Sequence, residues 1–268
     1  MCASSTTRAA TACGCARTSE NPRTKETRMT FRFKRALRAA RLIGAMGAIG
    51  AATVGAAGTA HAASFFDGFD GTGGAGPAWE TATWHNGTPF GCGFAYSEVW
   101  KDAGNMVLNV NAGTGRCGEI RTQQSFTYGK FTTRLKASTF AGGNTSFFLY
   151  TGTAGTASHF EIDIELIKGG TVLHTNVWKG GVQNYKQFPI ATGWQTLGFE
   201  WRENFVRWFT VNPQGGETTI RHQIVSVSTP MRLMLNHWRG DNSPDAIGFL
   251  GQWNGGGGQA QYDWVRVE

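Results

Sequence analysis

The sequence predicts an all-β domain, an antiparallel sandwich of two sheets with one concave face. Three observations carry that expectation. Short runs rich in β-branched and aromatic residues recur at close intervals, with Gly, Asn, Asp and Pro clusters between them. No segment sustains a helical period beyond two turns. The 38 glycines and 7 prolines suit many tight turns, and residues 63–268 contain neither an internal repeat nor a linker.

In chain order, residues 1–62 stand apart. They hold 10 of the 25 Lys and Arg and only 2 of the 18 Asp and Glu. From Met29, "MTFRFKRALRAARLIGAMGAIGAATVGAAGTAHA" has a basic start, an apolar Ala/Gly-rich middle and a small-x-small end at Ala60-His61-Ala62. This is the pattern of a secretory signal peptide cleaved after Ala62, with Met29 as an alternative start. The stretch after Arg41 is too rich in Gly and Ala for a strong membrane span. A secreted or periplasmic destination follows, with no membrane attachment after cleavage. The domain proper is 63–268. Its net charge is −1 against +7 for the whole chain, so the basicity belongs to the leader and a nucleic-acid partner is disfavoured.

Export changes how the cysteines read. Only Cys92 and Cys117 lie beyond the leader, and in an oxidising compartment they suit one disulfide. No zinc-type Cys/His spacing, G-x-G-x-x-G or P-loop is present.

The strand-like runs are "NMVLNVN" (105–111), "KFTTRLKAS" (130–138), "NTSFFLYTG" (144–152), "FEIDIELI" (160–167), "TVLHTNVW" (171–178), "QTLGFEW" (195–201), "FVRWFTVN" (205–212), "MRLMLNHW" (231–238) and "QYDWVRVE" (261–268). "NGGGGQ" (254–259) reads as a loop before the last of them. An antiparallel sandwich buries one face of each sheet and leaves the other open. A curved sheet of this size offers a groove for an extended ligand.

"HFEIDIELIKGG" (159–170) carries the chemistry. Side chains alternate across a strand, so Glu161, Asp163 and Glu165 share one face. A solvated face explains such alternation as well as a site does. Glycosidic hydrolysis, however, requires two carboxyl groups flanking the bond, and clustered carboxylates hold one proton more tightly than free solution does. Glu161 and Glu165 have Cα atoms ~13 Å apart at ~3.3 Å per residue, whereas a retaining pair needs carboxyl groups ~5–5.5 Å apart. The side chains must therefore lean inward on a bent strand. Trp84, Phe148, Tyr150, Trp178, Trp238 and Trp253 lie in or near runs that also hold Asn86, Arg121, Asn176 and Asn236. Flat rings beside amide and guanidinium groups suit sugars, although for any single Trp the sandwich core is the commoner place.

These residues resemble glycoside hydrolase family 16. "EIDIE" is similar to its E-x-D-x-E signature. Asn86-Gly87 before Cys92, then "RCGEIRT" (116–122), "TYGKF" (127–131), "SFFLYTG" (146–152), "LNHW" (235–238), "FLGQWNG" (249–255) and "YDWVRV" (262–267) follow in the order of the bacterial β-1,3-1,4-glucanases, or lichenases. The resemblance implies a β-jelly roll of the concanavalin type acting as a retaining endo-β-glucanase. Glu161 would be nucleophile, Glu165 general acid/base and Asp163 the assisting carboxylate. Glucosyl contacts would fall to Asn86, Glu119, Arg121, Phe148, Tyr150, Asn176, Trp178, Asn236 and Trp238. The resemblance also implies a Cys92–Cys117 pair and, as in related folds, a structural calcium on the convex side held by carbonyls; a monomer that needs no cofactor for catalysis is expected.

The unbulged signature favours the branch of lichenases, xyloglucan-active enzymes and exopolysaccharide depolymerases over laminarinases, whose E-x-D-x-x-E carries a bulge. His159 stands where lichenases place Trp, and resembles the xyloglucan and exopolysaccharide groups. It shares a face with Glu161, so a sugar, the nucleophile or mere structure could each account for it. Phe160, where relatives often have Asp, points to the opposite face, toward core. An endo-glycanase for xyloglucan or exopolysaccharide, a transglycosylase and a non-catalytic glucan-binding lectin are the rival readings. A lectin has no need of three aligned acids.

Overall fold

The computed structural model describes residues 64–268. The leader, its signal peptide and the alternative start at Met29 lie outside the described residues. No helix among the described residues is long and apolar enough to cross a membrane.

The chain runs through β1 (Phe65–Asp67), β2 (Trp79–Thr81), β3 (Gly93–Phe94), β4 (Val99–Asp102), β5 (Asn105–Asn111), β6 (Arg116–Phe126), β7 (Gly129–Lys136) and β8 (Gly143–Thr151). It continues through β9 (Phe160–Ile167), β10 (Val172–Lys179), β11 (Val182–Pro189), β12 (Trp194–Arg202), β13 (Phe205–Val211), β14 (Glu217–Ile224), β15 (Met231–Arg239), α1 (Pro244–Leu250) and β16 (Gly258–Val267). All nine runs expected from the sequence are strands.

Two layers result. The inner sheet runs β11-β10-β9-β8-β15-β6 and the outer sheet β5-β16-β7-β12-β13-β14, the two meeting where β5 pairs β6. Pairing is antiparallel except between the short β3 and β6. β8, β9 and β15 alternate so that Phe147, Leu149, Ile162, Ile164, Leu166, Leu233 and Leu235 enter the core against Phe131, Leu135, Phe199, Trp201, Trp208 and Tyr262 of the outer sheet. Each buried Ile or Leu of β9 contributes about 1.5–3 kcal/mol. A one-residue slip would turn all of them outward, so burial sets the register of the acids. Phe160 packs at the rim of this core, as its alternation predicts.

Polar handles on core aromatics then pin the inner sheet. Trp208 Nε1 donates to the carbonyl of Asp163 at 2.8 Å, and the Tyr262 hydroxyl donates to the carbonyl of Ser146 at 2.7 Å. The outer sheet thus holds the backbone under the acid-bearing strand.

A second, smaller cluster packs Ala82, Phe94, Val110, Ile167, Trp238 and Leu250 with Cys92 and Cys117. These cysteines are disulfide-bonded, with Cα atoms 5.9 Å apart.

Candidate active site

Glu161, Asp163 and Glu165 project from β9 onto the open face of the inner sheet, between β8 and β10. Glu161 stands opposite Tyr150 and Trp178, Asp163 opposite Phe148 and Asn176, and Glu165 opposite Ser146 and His174. Donors surround the outer two. His159 Nε2 lies 2.7 Å from Glu161 Oε2, and Asn144 Nδ2 donates to Glu165 Oε1 at 2.7 Å.

Burial and mutual repulsion set the protonation. Glu165 is pushed up to about 8, first by desolvation and then by the charge of Glu161, against the pull of the Asn144 hydrogen bond. Asp163 is held well above the ordinary carboxylate range by its burial, by Glu161 and Glu165 on either side, and by its hydrogen bond to Glu161. Glu165 therefore keeps its proton near neutral pH, and burial between two carboxylates favours the neutral form of Asp163. That is the division a pair of unequal carboxyl groups needs, one to donate and one to attack.

With this geometry in view, the model for glycosyl hydrolases family 16 matches residues 86–266. The chain belongs to glycosyl hydrolase family 16. A β-glucanase of Acetivibrio thermocellus is 32% identical over 200 residues, and the match spans 70% of this chain but only 58% of that protein. A Bacillus subtilis β-glucanase is 31% identical, with 70% of this chain and 80% of that one covered. The Bacillus licheniformis β-glucanase structure superposes with a TM-score of 0.66 at 28% identity, over 76% of this chain and 97% of that chain. A β-1,3-1,4-glucanase (lichenase) structure from a mouse hindgut metagenome gives 0.66 at 26%, covering 76% and 98%.

Within this family 16 fold, most of the remaining candidates reach the cleft. Asn236 and Glu119 pair across β15 and β6, and Asn236 Nδ2 donates to Glu119 Oε2 at 3.0 Å. Burial raises Glu119 to about 7. Arg121 does not pair with Glu119; it forms a fork with Glu80 (2.6 and 3.0 Å) and lies 4.6 Å over Trp84. Asn176 and Trp178 share the cleft face, as the two-residue spacing predicts. Phe148 and Tyr150 continue it on β8. Asn86 is exposed on the loop between β2 and β3.

Trp238 departs from the expected glucosyl contact. It is 3% exposed and stacked on Phe90 at 4.0 Å, so its ring belongs to the small core. Trp253 lies under Arg239, 3.8 Å from the guanidinium, and ties down its loop through Gly256. No group of three or more His, Cys, Asp or Glu among the described residues is arranged around a metal position.

Sequence reasoning missed Asn144, Ser146 and His174. The signal was there: Asn144 and Ser146 fall in step with Phe148 and Tyr150, and His174 in step with Asn176 and Trp178. His174 Nε2 sits 3.7 Å from Glu165 Oε2, while Gln187 lies 3.3 Å from its Nδ1 and Tyr185 stacks on the ring. Desolvation lowers His174 to about 4. Buried polar atoms without a partner concentrate on this face: Glu119 Oε1, Asn144 Oδ1, Ser146 Oγ, Asn176 Oδ1 and Asn236 Oδ1. Such atoms are costly alone, and a polyhydroxylated ligand would satisfy them.

Proposed function

We propose that this chain is an exported, retaining endo-β-glucanase that hydrolyses β-1,3-1,4-linked glucan. The observation that carries the reading is the placement of Glu161 and Glu165 on one open strand face, with burial raising Glu165 to about 8. Glu165 donates its proton to the glycosidic oxygen as that bond breaks, and Glu161 attacks the anomeric carbon to form a glycosyl ester. Glu165, now a carboxylate, takes a proton from water, which attacks the same carbon and releases Glu161. Asp163 stands between them, its neutral form favoured by burial and by both neighbours, and its hydrogen bond to Glu161 steadies that group as the ester leaves.

The substrate class is supported by the relatives named β-glucanase and by the row of orphaned polar atoms between aromatic side chains. The test is reducing-sugar release from mixed-linkage glucan, laminarin, xyloglucan and an acidic bacterial exopolysaccharide, with Glu161→Gln as control. Release from mixed-linkage glucan, abolished in the variant, is the expected result. Activity on xyloglucan or exopolysaccharide alone would move the substrate to that group. Binding without turnover on every polymer would leave a lectin.

A further inference from the structure

His159 has no ring nitrogen left for a sugar. The residue is 3% exposed, and both nitrogens are engaged. The backbone N–H of Gly155 donates to Nδ1 at 3.2 Å, and Nε2 lies 2.7 Å from Glu161 Oε2. A backbone N–H can only donate, so Nδ1 is the bare nitrogen and the ring proton sits on Nε2, directed at the carboxylate.

The surroundings hold the ring in that pose. It stacks on Trp178 with centroids 4.6 Å apart and planes at 29°, and Tyr150 closes another side at 5.3 Å. The turn carrying Gly155 is itself braced. Thr156 N donates to the Thr153 carbonyl and His159 N to the Thr156 carbonyl, each at 3.1 Å. Gly155 has φ +72, a conformation that glycine adopts without strain, and this aims its N–H back at the ring. Gly181, in the β10–β11 hairpin, donates to the His159 carbonyl at 3.3 Å.

We propose that His159 is a positioning residue: a Gly155–His159–Glu161 relay holds the Glu161 carboxylate in one orientation through a neutral donor, and His159 does not contact the glucan. This rests on the reading of Glu161 as nucleophile. Of the readings that the sequence left open for His159, it takes contact with the nucleophile over contact with a sugar. The relay explains why a neutral ring suits the place. An imidazolium would require a proton on Nδ1, which would lose the Gly155 bond and set a full positive charge against the attacking oxygen. The single Nε2–H instead fixes one carboxylate oxygen and leaves the group its negative charge.

Two substitutions of His159 and a pair of spectra test the relay. His159→Phe keeps a flat ring against Trp178 and removes the donor. It is expected to lower kcat about 10²-fold on the glucan that the wild type cleaves best, the scale of losing one oriented donor, with KM unchanged. His159→Gln, which can present an N–H to Glu161, should recover most of that loss. A raised KM with kcat preserved, or altered relative rates on mixed-linkage glucan and laminarin, would make His159 a sugar contact and overturn the proposal. Imidazole ¹⁵N shifts of Glu165→Gln protein, recorded with and without a mixed-linkage oligosaccharide, read the relay directly. A bare Nδ1 and a protonated Nε2 in both spectra are expected; a bare Nε2, or two protonated nitrogens, would overturn it. Should no glucan be hydrolysed, the proposed activity falls while the nitrogen shifts still decide the relay.

Discussion

Asn144 and Glu165 meet across the β8–β9 pair: the amide Nδ2 donates to Oε1 at 2.7 Å while the Asn144 Oδ1 has no partner. This bond favours the ionised carboxylate and so opposes the burial that raises Glu165 to about 8. Asn144→Ala is therefore expected to push Glu165 higher still. The alkaline limb of kcat/KM should move up in pH, and the rate at neutral pH should drop about tenfold as positioning is lost. A limb that stays in place would separate Asn144 from the proton on Glu165.

The charge of Glu161 is the second cause of the elevated Glu165. In Glu161→Gln that charge is gone, so Glu165 is expected to titrate lower than in the wild type. Carboxyl ¹³C shifts followed through a pH titration would show it. An unchanged or raised midpoint would mean that the two acids do not sense each other, and the assignment of their roles would lose its basis.

Stability should pass through a maximum in mildly acid solution. Buried His174 and His237 are lowered from 6.5 to about 4, so the unfolded chain binds more protons than the fold between those values, and their contribution is lost as pH falls. Glu119 and Glu165 are raised from 4.5 to about 7 and about 8, so the fold binds more protons there, and their contribution is lost as pH rises. The two trends oppose between 4.5 and 6.5 and act singly outside that window. Melting temperature across the range is the measurement, and a steady rise from acid to alkaline pH would contradict these carboxyl shifts.

The Cys92–Cys117 bond joins residues 25 apart. Closing a loop of that size stabilises by about 3.5 kcal/mol in the chain-entropy model. For a domain of this size that corresponds to roughly 10 °C in melting temperature. The Cys92→Ser, Cys117→Ser double variant is expected to melt lower by that order while retaining activity, since the bond lies in the small core. An unchanged melting temperature would remove the bridge as a support of the fold.

Some strands escaped the sequence. β11 (VQNYKQFP) and β14 (ETTIRHQI) stand at the two ends of the sheet order and are exposed along most of their length. An edge strand with solvent on several sides needs no apolar alternation, so it carries no period to read. β6 was visible only as "RCGEIRT", because polar Gln123, Gln124 and Ser125 continue it toward the rim.

The sequence by itself determined the all-β class, the face shared by Glu161, Asp163 and Glu165, and the family to which the chain belongs. Each of these is local: alternation along one strand and ordered motifs need no neighbour to be seen. Only the tertiary structure decided which groups meet those acids. Asn144 reaches Glu165 from the next strand, Gly155 turns back to His159, and Phe90 covers Trp238. Hydrogen bonding and burial act over a few ångströms between residues distant in the chain, and they set protonation and exposure that no run of residues can display.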